Sequence, residues 1–370
     1  MADKGSSMKT IILYDHFIAK GGAENVSLQL ARHLSNSEIQ TAYSDETLFS
    51  VEIANKELLN LNIKKNFEVP SSARLLWYFL FGYEPPKDSD NFIVSGLFAP
   101  LALFKRKSLE RTIVYFHMFP SFINWPLKKV MRKYGFFRGF VNRIFIVLYS
   151  LLLKRAIKHS GSVFCNSKCT QALFAEIGID CEVLYPPVVT KGLKCMPTKG
   201  YFLSTARIEH SKRIDIVLSA FEQLPQYQLK LVGGGSAEHE MRIKYSHCKN
   251  IEFIGWKHAE DVVSFYNNCT ALVFIPENEA FGIAAVEAMA AGKAVIGVRE
   301  AGLIDTLNDP RCGEILPLPV TIDMLKNAIE TVALKTITQS DIDFRIEHAN
   351  QFSEDIFYSV IKANFSTNNV

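Results

Sequence analysis

Residues 270–298 hold two apolar, β-rich runs, TALVFI at 270–275 and AVIGV at 294–298, joined by a loop at 276–280, an Ala-rich helical stretch at 281–291 and a glycine at 292. Strands and helices that alternate at this spacing point to an open α/β sheet, in which the helix is the crossover between two parallel strands. Ligands of such sheets meet the carboxyl ends of the strands, where the first N–H groups of the following helix face outward and favour an anion. Phosphate is the natural partner of that position. Two carboxylates sit in the same stretch, Glu279 on the loop and Glu287 along the helix. Glu279 can accept hydrogen bonds from sugar hydroxyls, and Glu287 suits a ribose diol, so together they point to a long, polyhydroxylated ligand.

The same pattern recurs upstream. In YFLSTARIEHSKRIDIVLSAF (201–221) an apolar strand ends at Ala206, Arg207 and Lys212 flank a polar turn, and an amphipathic helix begins near Arg213. A guanidinium and an ammonium at a strand's carboxyl end suit a diphosphate whose charge grows as a bond to it breaks, and could replace a metal there. Arg213 adjoins Lys212, so the sequence leaves open which of the two reaches the phosphate. QLKLVGGGS (228–236) and NIEFIGW (250–256) are further strands ending in glycine, which makes Gly235 and the Ile254–Trp256 backbone candidates for close approach to a ligand. Near the N-terminus, KTIILYDHF (9–17) reads as a strand, AKGGAE (19–24) as a turn containing Gly21 and Gly22, and NVSLQLARHL (25–34) as a helix. The turn lacks the G-x-G-x-x-G spacing, which argues against a dinucleotide fingerprint and NAD. RTIVYFHMFPSFINWP (111–126) ends a strand at His117.

These residues resemble the retaining glycosyltransferases of GT-B fold, in particular family 4, whose signature E-x-F-G-x4-E-A-M-A-x-G reads here Glu279, Phe281, Gly282, Glu287, Ala288, Met289, Ala290 and Gly292. The resemblance implies an α/β, GT-B architecture of two Rossmann-like β/α/β domains facing each other across a cleft. It places Glu279 by the donor sugar, the backbone of Phe281, Gly282 and Ile283 on the sugar and phosphates, and Glu287 on the nucleotide ribose. Arg207 and Lys212 match the pair that holds the donor diphosphate. The loops at Gly235 and Trp256 would line the nucleotide pocket, the second beside the base. Gly21 and Gly22 match a GGAE turn that lies against donor phosphates or acceptor. His117 resembles the histidine near the reacting sugar in mannosyltransferases of lipid-linked oligosaccharide assembly. The chain departs from the bacterial Y-x-H-x-P-x-R form, with Met118-Phe119-Pro120-Ser121 and no following Arg, which leaves the acceptor open.

The NS turn at 166–167 and the PPV segment at 186–188 resemble the end of the first GT-B domain. The expected division is 8–190 for an acceptor-binding domain, 200–350 for a nucleotide-sugar domain, and 351–370 for a helix crossing back to the first, with TKGLKCMPTKG (190–200) as linker.

Net charge is +3 and mean hydropathy is near zero, which does not suggest nucleic acid. Between Leu127 and Lys158, however, nine cations (Lys128, Lys129, Arg132, Lys133, Arg138, Arg143, Lys154, Arg155 and Lys158) interleave with Phe136, Phe137, Phe140 and the run IFIVLYSLLL (144–153). Ten apolar residues are too few to span a bilayer, which needs about 20. A basic amphipathic helix can lie in a membrane surface, whereas a core helix with a solvated flank fits the same residues. RLLWYFLFGY (74–83) adds a second apolar, aromatic stretch. Seven cysteines without C-x2-C pairing fit a reducing compartment and no zinc site, and no signal peptide precedes the first strand, so a cytoplasmic location is expected, on the cytosolic membrane face if the patch docks. Met1–Ser7 is set apart from fold reasoning.

The expectation is a retaining hexosyltransferase that uses a nucleoside diphosphate sugar, requires no metal or other cofactor, and adds the sugar to a lipid-linked or surface glycan. GDP-mannose is the favoured donor, with UDP-glucose and UDP-N-acetylglucosamine open. A non-catalytic GT-B scaffold, a GT-B phosphorylase and a sugar-nucleotide epimerase are the competing readings.

Overall fold

The computed structural model describes residues 8–19, 21–55, 58–61, 72–87, 89–106, 108–124, 126, 128, 131–132 and 135–366. The sequence readings on Met1–Ser7, Lys20, Leu127, Lys129 and Lys133 lie outside the described residues. The chain forms two compact units, Met1–Leu184 with Tyr358–Val370, and Tyr185–Phe357.

The first unit is built on a parallel sheet of β1 (Thr10–Phe17), β2 (Ser37–Ser44), β3 (Leu58–Asn60), β4 (Asn91–Ser95), β5 (Thr112–Phe116), β6 (Ser162–Cys165) and β7 (Glu182–Val183), in the order β3-β2-β1-β4-β5-β6-β7. β4 and β5 are buried at every position, as strands covered by helices on both faces must be. The helix after β1 runs Gly22–His33, so Gly22 opens the helix rather than lying in a turn before it. The N–H of Asn25 already donates to the Gly21 carbonyl at 3.0 Å.

The apolar stretch at 144–153 belongs to a longer helix, Phe136–Ile157, of 22 residues. By length and apolar composition alone it is long enough to cross a bilayer. The two readings of this segment divide by face. Ile146, Tyr149, Leu153, Ala156 and Ile157 are buried in the unit, and Tyr149 donates from its hydroxyl to the Leu97 carbonyl at 2.5 Å. Phe136, Phe137, Phe140, Val141, Ile144, Val147, Leu148 and Leu151 are exposed. The other aromatic stretch folds as a helix, Ser72–Trp77, that continues into a π-turn, Tyr78–Gly82; Leu75 and Phe79 are buried and Trp77 and Phe81 exposed.

The second unit repeats the plan. β8 (Tyr201–Ser204), β9 (Gln228–Val232), β10 (Ile251–Gly255), β11 (Ala271–Val273), β12 (Ala294–Val298) and β13 (Gly313–Leu316) form a parallel sheet in the order β10-β9-β8-β11-β12-β13. Two strands end earlier than the apolar runs suggest, β8 at Ser204 and β11 at Val273, so Thr205–Lys212 and Phe274–Gly282 form long loops at the sheet's carboxyl edge. The expected linker is instead bound along this unit: Lys194 N donates to Asn267 Oδ1 at 2.9 Å, Lys199 N to the Asn268 carbonyl at 2.8 Å, and Lys293 Nζ to the Met196 carbonyl at 2.6 Å. Two of these partners lie at the end of the helix Ala259–Asn268 and the third, Lys293, just before β12. The last helix, Glu354–Ser366, begins in the second unit, while its later turns belong to the first, where Tyr358 stacks on His33 at 3.6 Å.

Candidate functional site

In the second sheet, β9 and β10 lie on one side of β8 while the chain's next strand, β11, lies on the other. The loops after β8 and β11 therefore leave the sheet in opposite directions and open a crevice at its carboxyl edge, the position where open α/β sheets take ligands. Lys212 comes from the first loop and Glu279 from the second. They meet there, with Lys212 Nζ 2.7 Å from Glu279 Oε2 and both side chains mostly covered.

The loop that carries Glu279 is fastened at nearly every residue. Arg213 donates to the carbonyls of Ile275 at 3.1 Å and Pro276 at 2.9 Å, and its Nη2 lies 2.8 Å from Glu300 Oε2 in an ion contact that lacks hydrogen-bond alignment. Glu277 N donates to the Ser211 carbonyl at 2.8 Å, Asn278 N to Glu300 Oε1 at 2.9 Å, and Gly302 N to the Glu279 carbonyl at 2.9 Å. A Cβ on Gly302 would lie 2.0 Å from the Ala280 carbonyl oxygen, so only glycine admits this approach. Arg213 adopts a left-handed backbone at φ 51° to reach the loop. Arg213 is thus engaged in holding the loop, whereas Lys212 lies on Glu279. Arg207 lies on the same β8 loop with more than half its side chain exposed, 3.0 Å from Glu209 Oε1.

Phe281 is buried between Tyr185 and Phe352, with ring centroids 5.5 and 5.4 Å away, so only its backbone can meet a ligand. Gly282 caps the helix Ile283–Ala290 at φ 96°, and a Cβ there would lie 2.4 Å from Leu303 Cδ2. The first intrahelical bonds come from Ala285 N and Val286 N, which leaves the Ile283 and Ala284 N–H groups at the helix mouth. One turn on, Glu287 Oε2 accepts a hydrogen bond from Tyr266 Oη at 2.6 Å, and Tyr266 Oη lies 2.8 Å from Thr205 Oγ1. Burial pushes the Glu287 carboxyl up to about 7, against the lowering effect of the Tyr266 hydroxyl.

Gly235 has a tighter cause than ligand access, because a Cβ there would lie 2.4 Å from the Ile208 carbonyl oxygen. Trp256 is 54% exposed, its ring edge-on to His258 at 4.6 Å. Arg207, Lys212, Gly235, Trp256, Glu279, Phe281, Gly282, Ile283 and Glu287 all belong to the second unit. Tyr266, Thr205 and Glu300 also shape this edge and carried no local sequence signal, since each acts on a residue distant in the chain.

Gly21, Gly22 and His117 belong to the first unit. His117 follows β5, with its ring edge-on to Tyr115 at 4.9 Å and Tyr14 at 5.8 Å. Its Nε2 is buried without a hydrogen-bond partner, and burial lowers the imidazole to about 3, so the ring is neutral. Among the described residues, one trio has metal-ligating atoms close together: Glu222, His247 and Cys248, where His247 Nε2 and Glu222 Oε1 already pair at 2.8 Å.

Residues 193–347 match the family model for glycosyl transferases group 1. An uncharacterized glycosyltransferase of Methanocaldococcus jannaschii is 33% identical over 182 residues, 43% of this chain and 49% of that protein. An alpha-1,3/1,6-mannosyltransferase of Kluyveromyces lactis is 22% identical over 78% of this chain and 69% of its own length. A capsular polysaccharide biosynthesis glycosyltransferase of Staphylococcus aureus is 28% identical over 44% of each chain. The chain thus spans about half the length of two of these three relatives. Among solved structures, Anabaena HepE in complex with UDP-glucose superposes with a TM-score of 0.72, at 16% identity and 97% and 99% coverage of the two chains. The sucrose-phosphate synthase of Thermosynechococcus elongatus does so with a TM-score of 0.71, at 18% identity and 97% and 99% coverage. The fold is GT-B, with two Rossmann-like units.

Proposed function

We propose that this chain is a retaining hexosyltransferase that transfers a sugar from a nucleoside diphosphate sugar to a hydroxyl of a lipid-linked or surface glycan. The observation that carries this reading is the crevice between the β8 and β11 loops, where Lys212, Glu279 and the mouth of the helix Ile283–Ala290 converge. A diphosphate in that crevice would be met by the Lys212 ammonium, the Arg207 guanidinium and outward N–H groups, so charge that develops on the leaving diphosphate is stabilised by groups already in place. Glu279 accepts from the sugar hydroxyls and Glu287 from the ribose. The departing diphosphate takes the acceptor's proton. On this reading these cations take the place of a metal.

The names of the mannosyltransferase relatives from Kluyveromyces lactis and Homo sapiens support mannose, and hence GDP-mannose, as the first donor to try. The fold neighbour in complex with UDP-glucose keeps a UDP-sugar as the second reading. The eight exposed apolar side chains of the helix Phe136–Ile157, with Arg138 and Arg143 on the same helix, support a peripheral position on the cytosolic face of a membrane, where a lipid-bearing acceptor would be presented.

The deciding experiment incubates the purified protein with GDP-mannose, UDP-glucose or UDP-N-acetylglucosamine and a lipid-linked glycan extract, with and without EDTA. Nucleoside diphosphate release and the anomeric configuration of the product are then measured. Transfer from one donor with retention and no EDTA effect is expected. A nucleotide that binds without any transfer would leave the non-catalytic scaffold as the better reading.

A further inference from the structure

We infer that Tyr266 and Thr205 are positioning residues that hold the Glu287 carboxylate as an ionised acceptor for a ribose diol and tie it to the loop that carries Arg207. This rests on the donor-binding reading of Glu287 given above.

The direction of the hydrogen bonds follows from the inventory of protons. Tyr266 has one hydroxyl proton, and an ionised Glu287 can only accept, so that proton goes to Glu287 Oε2 across 2.6 Å. Thr205 Oγ1, 2.8 Å from the same hydroxyl, must then be the donor to Tyr266. The chain of donors runs Thr205 to Tyr266 to Glu287 and commits Oε2, while no described group binds Oε1, the oxygen left for a ligand. Tyr266 is 2% exposed, so its hydroxyl has no water to replace either partner. A proton on Oε1 leaves this donor chain in place and occupies the oxygen offered to the diol, whereas a proton on Oε2 reverses it; in both cases Glu287 has lost its charge as an acceptor for the ribose.

The location makes this more than a buried contact. Thr205 follows the end of β8 and lies two residues before Arg207, on one wall of the crevice; Glu287 lies on the helix that forms the other wall. Tyr266, from the helix Ala259–Asn268, spans between them. The ribose end and the phosphate end of a donor are thus held by groups that share one hydrogen-bonded chain. Tyr266 is the ionisable group that acts on Glu287, and behind Tyr266 lies Cys269, whose thiol burial pushes up to about 12 and keeps neutral. The chain therefore has a single site of protonation near neutrality.

The test measures binding of GDP and UDP by titration calorimetry from pH 5.5 to 9 for wild type, Tyr266→Phe, Thr205→Val and Glu287→Gln, with melting temperatures recorded for each. Tyr266→Phe should weaken the preferred nucleotide by roughly fivefold at pH 7, because losing a hydrogen bond to a charged group, about 1.5 kcal/mol, raises a carboxyl that titrates at about 7 by about one unit and cuts its ionised share from about a half to about a tenth. Its acid limb should move to higher pH, because the hydroxyl that lowers the Glu287 carboxyl is gone, and the difference from wild type should close by pH 9. Thr205→Val should shift the limb in the same direction by less. A packing role alone would change the melting temperature without moving the limb. If Glu287→Gln binds as wild type does, or neither nucleotide binds wild type, the donor reading of Glu287 fails and the inference falls with it. If Glu287→Gln is weakened but Tyr266→Phe follows wild type at every pH, the donor reading stands and the positioning role is overturned.

Discussion

Arg213→Ala separates the two adjacent cations that sequence spacing alone leaves ambiguous. Arg213 donates to two backbone carbonyls and contacts the Glu300 carboxylate, with 13% of each side chain exposed. Truncation leaves the Ile275 and Pro276 carbonyls without their donor and Glu300 without its counter-charge, although Glu300 keeps the Asn278 N–H. Breaking a fully buried pair costs about 3–5 kcal/mol; partial solvent access here reduces the expected loss to about 2–4 kcal/mol. The left-handed backbone supplies an internal control. Alanine bears the same αL strain as arginine at φ 51°, whereas glycine does not, so Arg213→Gly should lose about 1 kcal/mol less than Arg213→Ala. For a unit of this size the alanine variant should melt roughly 6–12 °C lower. Calorimetry is the suitable assay, because two compact units need not unfold as one transition. A melting temperature within 1 °C of wild type for Arg213→Ala, together with a clear drop for Lys212→Ala, would reverse the assignment of the two residues.

Lys212→Ala should lower kcat by about 100-fold, as removal of a group that stabilises developing charge does, while melting within about 2 °C of wild type; equal turnover would remove Lys212 from the chemistry. Glu287 has the opposite sign for stability and function. Its carboxyl is raised from 4.5 to about 7 in the fold, so the native state keeps a proton that the unfolded chain releases, and stability falls as pH rises through that window. Glu287→Gln should therefore stabilise the second unit at pH 8, by an amount of order 1 kcal/mol, with no gain near pH 4, and should weaken donor binding; a lower midpoint in urea at pH 8 would refute it. Gly302→Ala should destabilise by more than about 2 kcal/mol and lose activity, since its Cβ meets the Ala280 carbonyl oxygen; a wild-type urea midpoint would show that the loop yields. Replacing both Phe137 and Leu151 with Glu should abolish sedimentation with anionic vesicles without altering the melting temperature, and unchanged sedimentation would leave that helix face without a membrane role.

The parallel α/β plan and the loop-helix unit at 276–292 were legible because their determinants are local: apolar runs, a glycine stop, and two carboxylates within one strand-loop-helix segment. Less local features were not. Tyr266 is an ordinary aromatic on a helix until folding brings it to Glu287, and Glu300 sits 22 residues beyond the amide it accepts from. Gly235 shows the converse. A glycine after a strand reads as room for a ligand, and folding gives this one a packing cause as well, the approach of the Ile208 backbone. The helix Phe136–Ile157 was undercounted because four cations, Arg138, Arg143, Lys154 and Arg155, interrupt its apolar pattern, and long stems let such residues sit on an otherwise apolar surface.

The many anchors on the Glu279 loop bear on how donor preference could be changed. Five residues outside the segment 275–279 bind its backbone or lie within its reach: Ser211, Arg213, Glu300, Gly302 and, through Glu279 itself, Lys212. A graft of residues 276–282 from a transferase of different sugar preference would land in clamps shaped for this loop. Only a transplant that brings positions 211–213 and 300–302 along would carry its own scaffold, so the smallest exchangeable module here is three segments that fold as one.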